Sequence, residues 1–363
     1  DGVEIGRLHR TKLEHAPDVA KAHRQFNAKE TNSSELPPPP LASPNETCGD
    51  VPDLPAWTHP MLTSRIAPAA LMMALLSGAP AAADNPAPPK PAAQGKDYVA
   101  SRVPSLTPDR VVVYKKIDGR ELELRVFLPE GWKATDHRAC FHIIHGGGWG
   151  GMDPSRMYPF ASDFAERHGM VGISVQYRLY QPGKTTVFEC VKDARSSVRY
   201  VRSHAAELGI DPGRIVVSGG SAGGHLAAAT ALFDGVDEES DDRSVSCRPD
   251  ALILLFPVID TSPEGYGNAK IGERWRELSP VHHVRAGLPP TLLFHGTGDT
   301  VTPFAGAKAF HEAMLAAGNR CDFDVNEGGR HGYLMFEETL YRDTLTKSST
   351  FLASIGFVDP DKP

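Results

Sequence analysis

Beyond about residue 98 the hydrophobic positions fall into short β-branched runs that alternate with longer amphipathic stretches; residues 1–60 show no such periodicity. Arg110 to Ile117 and Glu121 to Leu128 alternate apolar with polar and flank Asp118-Gly119, a dipeptide suited to a tight hairpin turn. Cys140 to His145 reads as a short buried strand, Ser155 to His168 as a helix and Met170 to Val175 as the next strand. Val187 to Leu208 spaces Val191, Ala194, Val198 and Val201 by three or four residues, which predicts one long helix lying on a sheet. It stops at Gly209, and Asp211-Pro212 turns the chain into the strand Arg214 to Ser218. Ala251 to Phe256, Thr291 to His295 and Cys321 to Asn326 predict three more strands, with helices over Phe304 to Ala317 and Phe336 to Ser354. Near-continuous apolar strands alternating with helices imply a mostly parallel eight-stranded sheet covered on both faces, led in by an antiparallel hairpin. One α/β domain over residues 98–357, with a short tail over 358–363, accounts for the pattern.

The N-terminal part follows other rules. Proline lacks the N–H that helices and sheets need, so Pro37 to Pro40 and the stretch from Asn85 to Pro91 read as linker. Between them, Met61 to Arg65 precede a mostly apolar run, Ile66 to Ala83, that ends in three alanines. One positive residue, a short apolar centre and an A-x-A ending predict a secretory signal peptide over 61–83. Pro68, Gly78 and Pro80 make it a poor membrane-spanning helix. The expectation is therefore a secreted or periplasmic protein without stable membrane insertion after processing. Residues 1–60 read as upstream or disordered sequence and 84–97 as a Pro/Ala-rich linker.

The formal charge of −7 offers no basic field for a phosphate backbone, so nucleic acid is not an expected partner. Cys140, Cys190, Cys247 and Cys321 lie beyond the proposed cleavage site. Export would permit two disulfides, but the strand-like settings of Cys140 and Cys321 favour free, buried thiols. Asp234 to Asp242 holds six acids in nine positions, which raises calcium. The EF-hand spacing is missing, and a solvated loop is the plainer reading. No cysteine or histidine group has metal-ligand spacing, and no cofactor is implied.

Three loops carry the candidate chemistry. Gly219-Gly-Ser221-Ala-Gly223 joins a strand to a helix, a setting in which flanking glycines let the chain turn sharply and present the serine. His145-Gly-Gly147-Gly148-Trp149 follows another buried strand. The backbone N–H groups of Gly147 and Gly148, with that of Ala222, are candidate donors to a developing oxyanion. A serine hydroxyl needs a base, and of fifteen histidines His331 stands in a glycine-rich loop after the last strand, where sites of open α/β sheets gather. His145, His225, His282 and His283 have structural readings. Asp299, in the loop after the preceding strand, is the candidate acid that orients the imidazole, with Asp260 as competitor. The order Ser221, Asp299, His331 is that of α/β-hydrolases.

With these segments in view, residues from about 98 to 357 resemble the α/β-hydrolase superfamily, in the esterase branch of hormone-sensitive-lipase-like and acetyl xylan esterase-like enzymes. Gln176-Tyr-Arg-Leu179, Gly209-Ile-Asp-Pro212 and Gly219 to His225 carry the resemblance together with the three loops. It implies the α/β-hydrolase fold and a ping-pong serine esterase acting on short acyl esters, with acetyl groups on plant polysaccharide as the expected substrate. Two departures stand out. Gln176 replaces the Asp that many relatives carry, and the N-terminal helical cap is missing, which leaves a more open site. An amidase or arylformamidase-like hydrolase would use the same triad. A non-catalytic binding module would typically have lost a triad member, and here all three residues are present. Trp149, Tyr158, Tyr266, Trp275 and Tyr333 stand near predicted loop ends and are candidates to line an acyl or sugar pocket, with core packing as the alternative. Glu189 opens the long helix, where an acid favours the dipole, and is a further candidate contact. Residues 261–284 form the insert expected to shape the pocket.

Overall fold

Both residues of the Asp118-Gly119 turn take positive φ (51° and 69°), the geometry that lets a two-residue loop follow strand twist. The turn joins β1 (Arg110–Ile117) to β2 (Arg120–Phe127) in an antiparallel pair. A computed structural model describes residues 95–359 of the chain. There β1 and β2 continue into β3 (Arg138–Ile144), β4 (Val171–Val175), β5 (Ile210–Gly220), β6 (Ala251–Leu255), β7 (Thr291–Gly296) and β8 (Cys321–Asn326). The order across the single sheet is β1-β2-β4-β3-β5-β6-β7-β8, antiparallel as far as β4 and parallel beyond it. This is the α/β-hydrolase architecture. The proposed leader over 61–83, the segment 1–60 and the tail beyond Asp359 lie outside the described residues, as does most of the linker.

The apolar runs are explained by two helical layers. Ile215 and Val217 of β5 join Leu252 and Leu254 of β6 in one core, while Val216, Ile253 and Leu255 point into the other. The first core is closed by α3 (Val187–Ser203), α4 (Ala205–Leu208), α5 (Ala222–Leu232) and α7 (Phe304–Ala316). The second is closed by α2 (Tyr158–His168) and α8 (Glu338–Ser354), with α1 (Tyr98–Arg102) beside them. A strand apolar on both faces has no polar alternation to show, so the sheet had to be read from run length.

Three helices differ from the sequence reading. The helix expected over Val187 to Leu208 breaks at His204, whose ring stacks on Tyr200 and whose Nδ1 lies 3.0 Å from the Tyr200 carbonyl. Side-chain bonds to that carbonyl compete with the next helical turn. The helix expected from Ser155 opens with a 3₁₀ turn, Pro154–Met157. The last helix starts at Glu338, after a 3₁₀ turn over Tyr333–Met335. In the 261–284 insert lie a short helix, α6 (Asn268–Ile271), and 3₁₀ turns over Gly272–Leu278 and Pro280–His283.

The acidic run 234–242 is not the solvated loop that its composition suggested. Glu238 reaches Lys115 (2.9 Å) and Arg178 (2.7 Å), which both also bind the fully buried Asp193. Asp237 pairs with Arg195 and Arg199, and Asp241 with Arg199. These carboxylates each face basic side chains, on β1, after β4 and on α3, and no metal-ligating cluster occurs among the described residues. Cys140, Cys190, Cys247 and Cys321 are free and buried. No described helix is long and apolar enough to cross a membrane.

Candidate active site

Ser221 sits between β5 and α5 with φ 56° and ψ −120°, a conformation that costs a non-glycine residue of order 1–3 kcal/mol. Bonds on both sides hold it there. Its N–H donates to the Leu255 carbonyl (3.0 Å), and its carbonyl accepts from His225 and Val258 (3.1 Å each). The glycines are needed for approach: a Cβ at Gly219 would overlap the Gly223 carbonyl, and one at Gly223 the Ile144 carbonyl.

The loops after β7 and β8 bring two side chains to this serine. His331 Nε2 lies 3.0 Å from Ser221 Oγ, and His331 Nδ1 lies 2.8 Å from Asp299 Oδ2. With Nδ1 donating to the carboxylate, Nε2 is left to accept the hydroxyl proton. Asp299 is 6 % exposed and well satisfied: Oδ1 accepts from the N–H of Val301 (2.8 Å) and Thr302 (2.9 Å), and Oδ2 from Thr302 Oγ1 (2.9 Å). Burial by itself raises this carboxyl, but the hydrogen bond and charge of His331 and the two backbone donors outweigh it and hold it below the usual carboxylate range. Asp260, the competitor, accepts instead from the Ser262 N–H (2.8 Å), while His331 Nδ1 turns to Asp299.

The glycine turn after β3 faces the same serine. The Gly146 carbonyl accepts from His145 Nδ1 (3.0 Å) and Tyr177 Oη (3.2 Å), and the Gly147 carbonyl from the N–H groups of Gly150 and Gly151 (3.2 and 3.0 Å). In a trans peptide the N–H points opposite its carbonyl. Anchoring these two carbonyls therefore aims the Gly147 and Gly148 N–H groups away from their own loop. Neither of them, nor the Ala222 N–H at the start of α5, donates to a protein acceptor among the described residues. Burial pushes the His145 imidazole down to about 4, so it serves the turn as a neutral donor. The turn and Ser221 open on a pocket of about 270 Å³ with an otherwise largely apolar wall of Met152, Met157, Phe256, Val301, Met335 and Phe336. Phe256 is itself at positive φ (36°), with its ring edge-on to His331 at 5.1 Å.

Of the candidate substrate contacts, Tyr266 lines this pocket and five others do not. Trp149 is fully buried and donates from Nε1 to His225 Nδ1 (3.3 Å), while His225 Nε2 donates to the Leu278 carbonyl (2.7 Å). Tyr158 packs edge-on against Phe127, and Trp275 against His282. Tyr333 is buried in the second core. Glu189 is consumed by the N-terminus of α3, where it accepts from the Thr186 N–H (2.7 Å) and Thr186 Oγ1. A buried aromatic and a pocket aromatic near a loop end carry the same sequence signal, and that is the reason these positions read alike. Thr302, Tyr177 and the apolar wall went unread; Thr302 had a signal, standing three residues after the candidate acid. Gln176, which departs from the Asp of many relatives, reaches β2, its Oε1 accepting from the Glu123 N–H (3.2 Å).

The BD-FAE family model matches residues 124–314, a span that holds the glycine turn, Ser221 and Asp299 and ends before His331. The chain belongs to this family of α/β-hydrolases. Two structures of esterase 2 from Thermogutta terrifontis, one phosphorylated by paraoxon and one with propionate bound, are similar to this BD-FAE chain. Each is 42 % identical with a TM-score of 0.66, and the alignment covers 69 % of this chain and 96 % of that one. A probable isoprenylcysteine alpha-carbonyl methylesterase of Arabidopsis thaliana is 27 % identical, over 64 % of this chain and 52 % of its own length. An acetylxylan esterase of Xylanibacter ruminicola is likewise 27 % identical, over 63 % and 47 %. The chain thus spans about half the length of these esterase relatives.

Proposed function

We propose that this BD-FAE protein is a carboxylic ester hydrolase that works through Ser221, His331 and Asp299 on short acyl esters, with acetyl groups of plant polysaccharide as the natural substrate. The observation that carries the reading is the relay of 3.0 and 2.8 Å from Ser221 Oγ through His331 to Asp299, at the floor of a pocket edged by unclaimed N–H groups. His331 Nε2 takes the hydroxyl proton as Ser221 Oγ bonds to the acyl carbon. The carbonyl oxygen becomes an anion held by the N–H groups of Gly147, Gly148 and Ala222. His331 then protonates the departing alcohol oxygen as its bond to carbon breaks, leaving an acyl-enzyme. Water repeats the sequence and releases the acid. The ionised Asp299 balances the imidazolium at each stage.

A pocket of about 270 Å³ suits a short acyl chain, in keeping with the propionate bound by the Thermogutta esterase and with the acetylxylan esterase among the relatives. The test compares p-nitrophenyl acetate, butyrate and longer esters, an anilide and acetylated xylan, with wild type and Ser221→Ala. Expected are a burst of p-nitrophenol, a preference for short chains over the anilide, release of acetate from xylan, and loss of both turnover and paraoxon labelling in the variant. Turnover by Ser221→Ala at the wild-type rate sinks the mechanism; silence on xylan sinks the polymer substrate alone. Export through residues 61–83 belongs to the same reading, and mature protein starting at Asp84 in a periplasmic or culture fraction tests it.

A further inference from the structure

The short helix α6 places Lys270 against the glycine turn. Its Nζ donates to the Gly148 carbonyl at 2.8 Å and lies 5.7–5.8 Å from the ring centres of Trp149, Tyr180 and Tyr266. No carboxylate pairs with it among the described residues. A half-buried ammonium that gives up water for three ring faces and a single carbonyl is an expensive way to pack an insert. Its partners suggest what it does instead.

Gly148 stands at φ 58° between two peptide planes. The plane before it is set by the Gly147 carbonyl, which accepts from Gly150 and Gly151. The plane after it is set by its own carbonyl, which Lys270 holds. The Gly148 N–H lies in the first plane; holding the second keeps Gly148 at its φ of 58° and stops the turn from relaxing around that N–H. The far side of the turn is fixed as well, since the Trp149 carbonyl accepts from the Tyr180 N–H at 2.8 Å. The opposing segment is fitted to this arrangement: a Cβ at Gly148 would meet Tyr266 Oη at 2.6 Å and Lys270 Nζ at 3.0 Å, and one at Gly267 would overlap the Trp149 ring.

We infer that Lys270 is a positioning residue of this hydrolase: held by Trp149, Tyr180 and Tyr266, it buckles the insert to the Gly148 carbonyl and so keeps the turn that presents the Gly148 N–H to the oxyanion from relaxing. The inference rests on the mechanism proposed above. It assigns the 261–284 insert a part in the chemical step, beyond shaping the pocket wall. Because the effect acts through a donor that matters most when charge develops on the acyl oxygen, it belongs to kcat and leaves ground-state binding nearly unchanged.

The test uses Lys270→Met, which keeps the stem and removes the donor, beside Lys270→Arg, which keeps a donor. Steady-state hydrolysis of p-nitrophenyl acetate and inhibition by a short trifluoromethyl ketone are measured for each. The ketone adds to Ser221 to give a hemiketal oxyanion in the same hole. A misaimed donor predicts that Lys270→Met lowers kcat about 10- to 100-fold with KM within about twofold. The inhibition constant for the ketone should rise in step with the fall in kcat/KM, and Lys270→Arg should recover most of both. A kcat within about twofold of wild type in Lys270→Met overturns the inference. So does a loss that tracks thermal stability and leaves ketone affinity unmoved. If Ser221→Ala still turns over and neither protein takes up paraoxon, the serine mechanism has failed instead, and the two failures are distinguished.

Discussion

At Ser221 the strain of a positive φ is carried by bonds from Leu255, His225 and Val258, so the hydroxyl is poised before any substrate arrives. The same economy appears at Asp299, where one carboxylate takes two backbone N–H groups, a threonine hydroxyl and the His331 N–H. Replacing it by Asn leaves the shape but removes the acceptor that selects the imidazole tautomer, and kcat should fall by about 10⁴ with KM little changed. Thr302→Val removes one of four donors and should cost about tenfold in kcat, measured on the same ester. These residues differ in how they could be read from sequence. Ser221, His331 and Asp299 each follow a strand at one sheet edge, so position singled them out. Thr302 and Tyr177 act only through contacts, and Trp149 and Tyr158 show that an aromatic near a loop end reads the same in a core as in a pocket.

Elements read from apolar runs are present, and their faults lie at ends and in short pieces. β3, β5, β6 and β7 are apolar on both faces because helices cover both, and that gave long, unambiguous runs. The short helices α1 and α6 each hold too few residues to show a period, and tertiary contacts rather than propensity support them. Charge was the other blind spot. The run 234–242 looked solvated because its partners lie far back in sequence, at Lys115, Arg178, Arg195 and Arg199. This clamp ties β1, the segment after β4 and α3 to one loop through Asp193, whose side chain is fully buried. Asp193→Ala should therefore lower stability by about 3–5 kcal/mol, because Arg178 and Lys115 stay buried without the fully buried carboxylate that holds both. Urea unfolding checks the value, and a change below about 1 kcal/mol would place the clamp among weak surface pairs.

At the scale of the whole molecule, acid should act on stability in two separate windows. Burial pushes His142 down to about 3 and His145 and His225 to about 4, the latter two despite hydrogen bonds to the Gly146 and Leu278 carbonyls that favour the charged form. Once the chain unfolds, these imidazoles return to the ordinary value near 6.5 and take up protons that the native state refuses. Between about pH 6.5 and 4 the unfolded state therefore binds more protons, and stability must fall as pH falls. Each histidine contributes about 1.4 kcal/mol per pH unit there, so three together give a slope of about 4 kcal/mol per unit. The carboxylates act lower. Asp299, Asp237 and Glu238 are held below the usual range, although burial alone would raise them, so their contribution is full above about pH 4 and disappears only beneath it. Urea midpoints taken at closely spaced pH should thus drop steeply from 6.5 downward. His142→Gln, at a position away from the serine and bonded to Ser197, should remove one histidine's share of that slope, about 1.4 kcal/mol per unit, down to about pH 3. A stability that stays level from pH 6.5 to 4.5 would mean that the buried imidazoles find protons, or water, in the native core.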